Sequence, residues 1–385
     1  EGIWHEWMFE LDSMGGVGDL AARRGRKVDG SVDCELVKYA WDRLLDAAGV
    51  RILHHAWAAD VMKEQGHLCG VVLETVAGRI AVAARRVIDC TGDGLIGAMA
   101  GVGWEQGDGV SRCAMALTKP FRLGNARMPA DFPSQAYDDK IDADFARAME
   151  NHEFTDPIIT SGRILRYIKA WTRPLARRPE LLVGGPSRIL NVDPLDPWQL
   201  SEAERAARRQ IEQVRDYYLK YCPGCENAYF MESSNHIGVR STRRLHGIAR
   251  VGREEAFGLV KSPLSIAKSS WHIDVWPADS HTKDADRSPE GWLDRVIKEG
   301  DYFDIPYGCI VADGVDNLLM AGRCISADHW AQSSLRIQQT CQSTGQAAGV
   351  AAALSLKYDV PPRELDPAAV TGQLARDRAA VKRFV

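Results

Sequence analysis

The strongest constraint on the fold lies near the C-terminus. An apolar run, Asn317-Leu-Leu-Met-Ala321, passes directly into Gly322-Arg323. After a short polar loop the chain continues Leu335-Arg-Ile-Gln-Gln-Thr-Cys-Gln-Ser-Thr-Gly-Gln-Ala-Ala-Gly349. This pattern predicts a buried strand over 317–321, a glycine turn, and a long small-residue helix over 334–356. A glycine turn exposes bare backbone, and a helix start offers unbonded N–H groups. Together they suit an anionic or electron-rich ligand.

A second unit of the same kind stands upstream. The short apolar run Arg86–Cys90 ends at Thr91-Gly-Asp-Gly94, and Leu95–Ala100 reads as a helix start. Strand, glycine turn and helix in that order predict a parallel α/β sheet whose ligands sit at the carboxyl ends of its strands. Before it, Val32, Leu36, Val37, Ala40, Leu44, Leu45 and Ala48 recur at helical spacing, with Gly49 as a stop and Val50–Leu53 as a following strand. Alternating runs at Ala59–Lys63, Leu68–Glu74 and Arg79–Ala83, joined at Gln65-Gly66 and Ala77-Gly78, predict an antiparallel meander.

The character changes after about residue 110, where Trp, Pro and Arg concentrate between irregular loops and amphipathic helices. Ser201-Glu-Ala-Glu204 reads as a capping box opening a helix to about Tyr221, which Pro223-Gly224 stops. Residues 277–290 read as a polar surface loop. From Ile305 the α/β pattern returns, with a strand over Cys309–Val311 and a turn at Asp313-Gly314. The expected organisation is a discontinuous cofactor domain, 1–110 and 306–385, interrupted by an insertion over 111–305.

With 385 residues the chain can bury a large core, and a net charge of −4 argues against a nucleic-acid binder. No apolar run reaches the roughly 18 residues of a membrane span. The first residues carry no secretory signal, and nine cysteines without a tight framework fit reduced thiols, so a cytoplasmic location is expected.

Several segments, in order, resemble the FAD-dependent oxidoreductases related to the fumarate reductase flavoproteins. They are Asp33–Val50, Arg86–Gly94, Leu200–Arg205, Pro223–Tyr229, Gly238-Val-Arg-Ser-Thr-Arg-Arg-Leu-His-Gly247, Trp271–Val275, Ile305–Tyr307 and the C-terminal strand and helix. The resemblance covers nearly the whole chain. It implies an FAD/NAD(P)-binding-like parallel sheet domain of α/β class, with a large α+β insertion as the substrate or cap domain. It also implies FAD as cofactor, a small-molecule substrate, and hydride transfer between that substrate and the flavin.

One expected feature is missing. The family opens with a βαβ unit of roughly 30 residues carrying Gly-x-Gly-x-x-Gly. At the opening of the chain Gly15-Gly-Val-Gly18 is the nearest approach, no apolar strand precedes it, and Arg23-Arg24-Gly25 interrupts any helix behind it. The sequence therefore reads as an N-terminally truncated form. Such a form exposes an apolar sheet edge that a second chain or a homo-oligomer would cover.

On the resemblance, Thr91, Gly92, Asp93 and Gly94 contact the cofactor, as do Gly322 and Arg323. Leu335, Arg336 and Ile337 place a helix start and a full charge by the flavin pyrimidine. The bland alternatives are a strand-end turn, an internal ion pair and helix-on-sheet packing by Gly345, Ala347, Ala348 and Gly349.

Arg240, Arg243 and Arg244 form a basic cluster able to clamp a substrate carboxylate, or to serve only in structural ion pairs. His236, His272 and His329 are acid–base candidates, His329 the best placed, although a lone histidine is more often structural. Metal-ligand spacing is absent. Cys222-Pro-Gly-Cys225 suggests a redox dithiol, but no thioredoxin-like pattern surrounds it. Two alternatives stay open: a form of this family without bound FAD and without catalysis of its own, and a flavin-linked thiol/disulfide oxidoreductase using Cys222 and Cys225.

Overall fold

The computed structural model describes residues 2–17, 32–109, 111–129, 132, 134–166, 168–169, 172–174, 179–185, 187–276, 278–279, 297–298 and 300–377. Gly18, Arg23, Arg24, Gly25 and most of the loop expected at 277–290 lie outside them.

The chain starts with a helix, Ile3–Ser13, packed on a second, Cys34–Ala47. Asp33 caps the second helix by accepting from the backbone N–H of Glu35 (2.9 Å) and Leu36 (3.2 Å). Trp7 is buried between them and stacks on Trp41 at 5.8 Å. The strand expected over Val50–Leu53 does not form. Val50, Ile52 and Leu53 are β-favouring residues, but no described strand pairs with them, and they stand exposed.

The antiparallel meander is present as Trp57–Glu64, His67–Thr75 and Gly78–Ala83. Asn317, fully buried, ties it to the rest of the molecule. Its side-chain amide donates to the carbonyls of Leu68 (2.7 Å) and Arg85 (3.1 Å), and its Oδ1 accepts from the Leu68 N–H (3.1 Å).

Val87–Asp89 and Leu318–Met320 pair in parallel, Val87 opposite Leu318 and Asp89 opposite Met320. Both run to their glycine turns on the same side, which brings the two sequence motifs together. The expected strand at Cys309–Val311 is instead a 3-10 turn, Tyr307–Ile310, leading into an isolated bridge from Val311 to Leu319.

The expected helix over 334–356 is two helices, His329–Leu335 and Gln338–Tyr358, because Ile337 adopts an extended conformation (φ −69°, ψ 144°). Ala347, Ala348 and Ala351 are fully buried against the sheet side. Gly345 and Gly349 have open space where a Cβ would stand, so close packing does not require glycine there.

Residues 121–225 build their own core around a four-stranded antiparallel sheet, in the order Thr172–Pro174, Glu180–Val183, Phe121–Gly124, Tyr229–Ser233. Over it lies the helix Pro197–Tyr221, with Tyr217 and Tyr218 fully buried. This helix begins earlier than the sequence reading placed it. Asp196, not Ser201, is the cap, accepting from Trp198 N–H (2.9 Å) and Gln199 N–H (3.2 Å) with proline in the first turn. Beyond it, Leu245, Val251, Phe257, Ile266, Phe303 and Ile305 join the core of the parallel pair, where Ser265–Ser269 pairs antiparallel with Phe303–Pro306.

Candidate functional site

The first turn is built by a residue whose part the sequence did not announce. Asp89 ends its strand fully buried, and its carboxylate accepts from Thr91 N–H (3.0 Å), Thr91 Oγ1–H (2.7 Å) and Gly97 N–H (2.9 Å). Thr91 Oγ1 in turn accepts from Leu95 N–H (2.9 Å). The turn is locked before any ligand arrives. Gly92 (φ +75°) and Gly94 (φ +61°) take left-handed conformations that disfavour a side chain.

Arg323 lies directly over Gly92, and a Cβ added there would stand 3.0 Å from the guanidinium carbon. Arg323 Nη2 is 3.3 Å from Asp93 Oδ1, and Nη1 donates to the Val239 carbonyl. Asp93 also accepts from Thr242 Oγ1–H (2.8 Å), and its backbone carbonyl accepts from Arg243 Nη1 (3.2 Å). Gly322 (φ +79°) donates its N–H to Thr344 Oγ1 at 3.0 Å, fixing the second turn on the long helix. The structure thus joins 91–94, 322–323 and the 239–243 segment into one site.

The break between the two C-terminal helices completes it. Arg336 reaches the Asp274 side chain (3.2 Å) and carbonyl (3.1 Å) and is nine-tenths buried. Burial lowers its pKa to about 10, with Asp274 opposing and Arg240 and Arg323 adding to the fall, so it remains cationic at neutral pH. Arg240 and Arg323 therefore lie close enough for their charges to be felt. Gln332 Nε2 donates to the Arg240 carbonyl at 3.1 Å.

His329 opens the shorter helix, its Nδ1 sealed from solvent without a hydrogen-bond partner among the described residues and its ring bonded to the Gly107 backbone. Burial pushes its pKa down to about 4, with Arg244 contributing next, so it is neutral at pH 7.

Other buried polar atoms here also lack partners among the described residues. The donors are Arg243 Nε, Trp271 Nε1 and Arg336 Nε; the acceptors include Gln332 Oε1 and Gln339 Oε1. The helix that starts at Gln338 has no side-chain cap. Orphaned donors and acceptors mixed around an open helix start match a heteroaromatic with alternating hydrogen-bonding edges. The residues present therefore fit the isoalloxazine half of FAD. For the adenosine half, Gly15 follows a helix, not a strand, and the glycine-rich strand–helix turn among the described residues is the one at Gly92–Gly97, from Val87–Asp89 into Leu95–Ala100.

The remaining sequence candidates are placed as follows. Arg244 is 1% exposed and bonds the carbonyls of Ala327 (3.1 Å) and Gly107 (2.9 Å), a structural position. His272 Nε2 is 3.7 Å from Asp274 Oδ1, on the far side of the Arg336 pair. His236 is exposed, and no described hydrogen bond or ion pair joins it to the cluster. Cys222 and Cys225 are buried in the second core, and Cys222 Sγ lies 3.2 Å from Tyr137 Oη. Asp89, Thr242, Asp274, Gln332 and Thr344 were not singled out from the sequence. Only Asp89 left a legible signal, an Asp two residues before Thr at a strand end, the pattern of a side-chain-bonded turn.

A family described as FAD dependent oxidoreductase matches residues 1–374. Among solved structures, the chain is similar to a geranylgeranyl bacteriochlorophyll reductase-like protein from Thermoplasma acidophilum, with 12% identity and a TM-score of 0.40. That alignment covers 89% of this chain and spans 59% of the other. No curated protein sequence matches. Among the described residues, no helix is long and apolar enough to cross a membrane.

Proposed function

The chain belongs to the FAD-dependent oxidoreductase family, and we propose that it transfers hydride between a small organic substrate and the flavin. FAD is the cofactor of that family, and when bound it supplies the hydride acceptor or donor at its N5.

The observation that carries this reading is the convergence of Arg240, Arg323 and Arg336 at the helix break, beside two locked glycine turns. Arg336, desolvated yet cationic, would hold an anionic edge of the flavin and so favour its reduced form. The open amides at Gln338 and Gln339 act in the same direction. Asp93 holds Arg323, Thr242 and Arg243 in register, and Asp274 holds Arg336. Arg240 faces the insertion and orients the substrate, Arg243 supporting it from the turn at Asp93. His329, neutral at pH 7 and held so by burial, is a poor proton acceptor and offers its Nδ1 lone pair as a hydrogen-bond acceptor instead.

The exchange chemistry of a dithiol is disfavoured by the burial of Cys222 and Cys225, which are 2% and 0% exposed. The discriminating experiment is anaerobic. Chain loaded with FAD and mixed with small alcohols and hydroxy acids should lose flavin colour, and pre-reduced chain should regain it with the corresponding oxidised compounds. Chain that stays colourless in excess FAD would overturn the reading in favour of a cofactor-free form.

A further inference from the structure

Cys222-Pro-Gly-Cys225 closes the end of the helix Pro197–Tyr221 in one tight turn. Cys225 donates its N–H to the Cys222 carbonyl at 3.0 Å, proline holds the second position, and Gly224 takes φ +90° at the third. These are the marks of a type II turn, whose first and fourth Cα atoms stand within about 7 Å. A disulfide spans Cα atoms about 4.4–6.8 Å apart, so the turn brings the two cysteines to bridging distance. Their side chains already meet: the Cys225 thiol hydrogen-bonds to Cys222, and Cys222 Sγ also lies 3.2 Å from Tyr137 Oη.

The turn is fixed from outside as well. Arg127 donates its N–H to the Gly224 carbonyl (2.8 Å), and the Glu226 carboxylate accepts from the Gly224 N–H (2.9 and 3.0 Å). A Cβ on Gly224 would collide with the Arg127 carbonyl oxygen. Both cysteines are buried, but the turn above them reaches the surface: Pro223 and Gly224 are half-buried, and Glu226 is exposed. Bulky thiols and disulfides are shut out, while a small uncharged oxidant has only the turn to pass. The bonds from Cys225 and Tyr137 lower the Cys222 pKa, and giving that bond raises the pKa of Cys225. Cys222 is thus the sulfur that reacts first, and Cys225 keeps its proton.

We infer that Cys222 and Cys225 are a peroxide-sensitive pair that closes to an internal disulfide within the folded insertion. The Cys222 thiolate attacks one peroxide oxygen, the O–O bond breaks, and hydroxide leaves, so that Cys222 becomes a sulfenic acid. The Cys225 sulfur then attacks the Cys222 sulfur, the S–O bond breaks, and the hydroxyl leaves as water with the Cys225 proton. In sum two thiols give up two electrons and two protons, and one peroxide becomes two waters. The pair lies in the second core, and its chemistry stands whether or not the chain holds FAD.

The test uses the folded chain in buffer with hydrogen peroxide. Samples are quenched with catalase, unfolded in urea with iodoacetamide, and mapped by peptide mass spectrometry. Cys222 and Cys225 should lose their labels together, in a peptide two hydrogens lighter than the dithiol, and regain both after reduction in urea. The loss should be about tenfold faster than at Cys309, which is equally buried and whose charged neighbours include no thiol. In Cys225→Ser, dimedone added with the peroxide should label Cys222, because the sulfenic acid has no thiol to capture it.

Two cysteines still fully labelled at peroxide doses that oxidise the more accessible Cys69 would overturn the inference. So would a disulfide joining either residue to a different cysteine, or one that forms in urea and not in the folded chain. The wild-type map alone decides between these outcomes if Cys225→Ser does not fold.

Discussion

Arg336 and Asp274 form an ion pair at 3.2 Å whose side chains keep only 10% and 13% of their surface exposed. The pair sits at the break between two helices that the sequence pattern runs together. A buried charge pair contributes little net stability when intact, but losing one partner strands the other. Asp274→Asn should therefore lower the unfolding free energy by about 3 kcal/mol. Urea titration of both proteins checks it; a loss within error would mean that water reaches Arg336.

Arg336→Met should act on the flavin more than on the fold. Removing a desolvated cation beside the reduced ring lowers the midpoint potential of bound FAD by about 30 mV or more, corresponding to about 1.4 kcal/mol for the two-electron couple. Redox titration against a reference dye measures it. An unchanged potential would place the flavin elsewhere.

Gly92→Ala tests the first turn. Its φ of +75° and the Arg323 guanidinium above it both oppose a methyl group. Strain of about 1–2 kcal/mol and a displaced Arg323 should weaken FAD binding about tenfold or more. Gly349→Ala, at an exposed site with open space, should bind FAD as the wild type does.

His329 gives a pH signature. Its folded pKa, pushed down from 6.5 to about 4, means that the unfolded chain takes up a proton which the folded chain refuses. Stability is fully present above about pH 6.5 and falls as pH drops through the window down to about 4, by at most about 3 kcal/mol. His329→Asn should flatten that part of the profile of unfolding free energy against pH. A slope unchanged by the substitution would mean that the ring titrates normally.

What was legible in the sequence was local. Leu95–Ala100 is helical as read, the meander is in place, and the two glycine turns are recognisable because their φ values demand glycine. What was hidden depends on distant partners. The helix break at Ile337 leaves no mark in the hydrophobic pattern, and Arg336 beside it is bonded to Asp274, a residue far off in sequence. Val50–Leu53 has strand-like residues, but a strand exists only with a neighbour. Trp276 gathers Arg163, Arg188 and Arg240 around its ring, a meeting that no spacing rule encodes.

The central claim is that the helix break and the two glycine turns form one flavin face. Titration of the purified chain with FAD, followed by visible absorbance, tests it most directly. The account predicts saturable uptake with a shifted flavin spectrum, weakened in Gly92→Ala and altered in shape in Arg336→Met. A spectrum that remains that of free FAD at every concentration, or uptake identical in wild type and both variants, would contradict it.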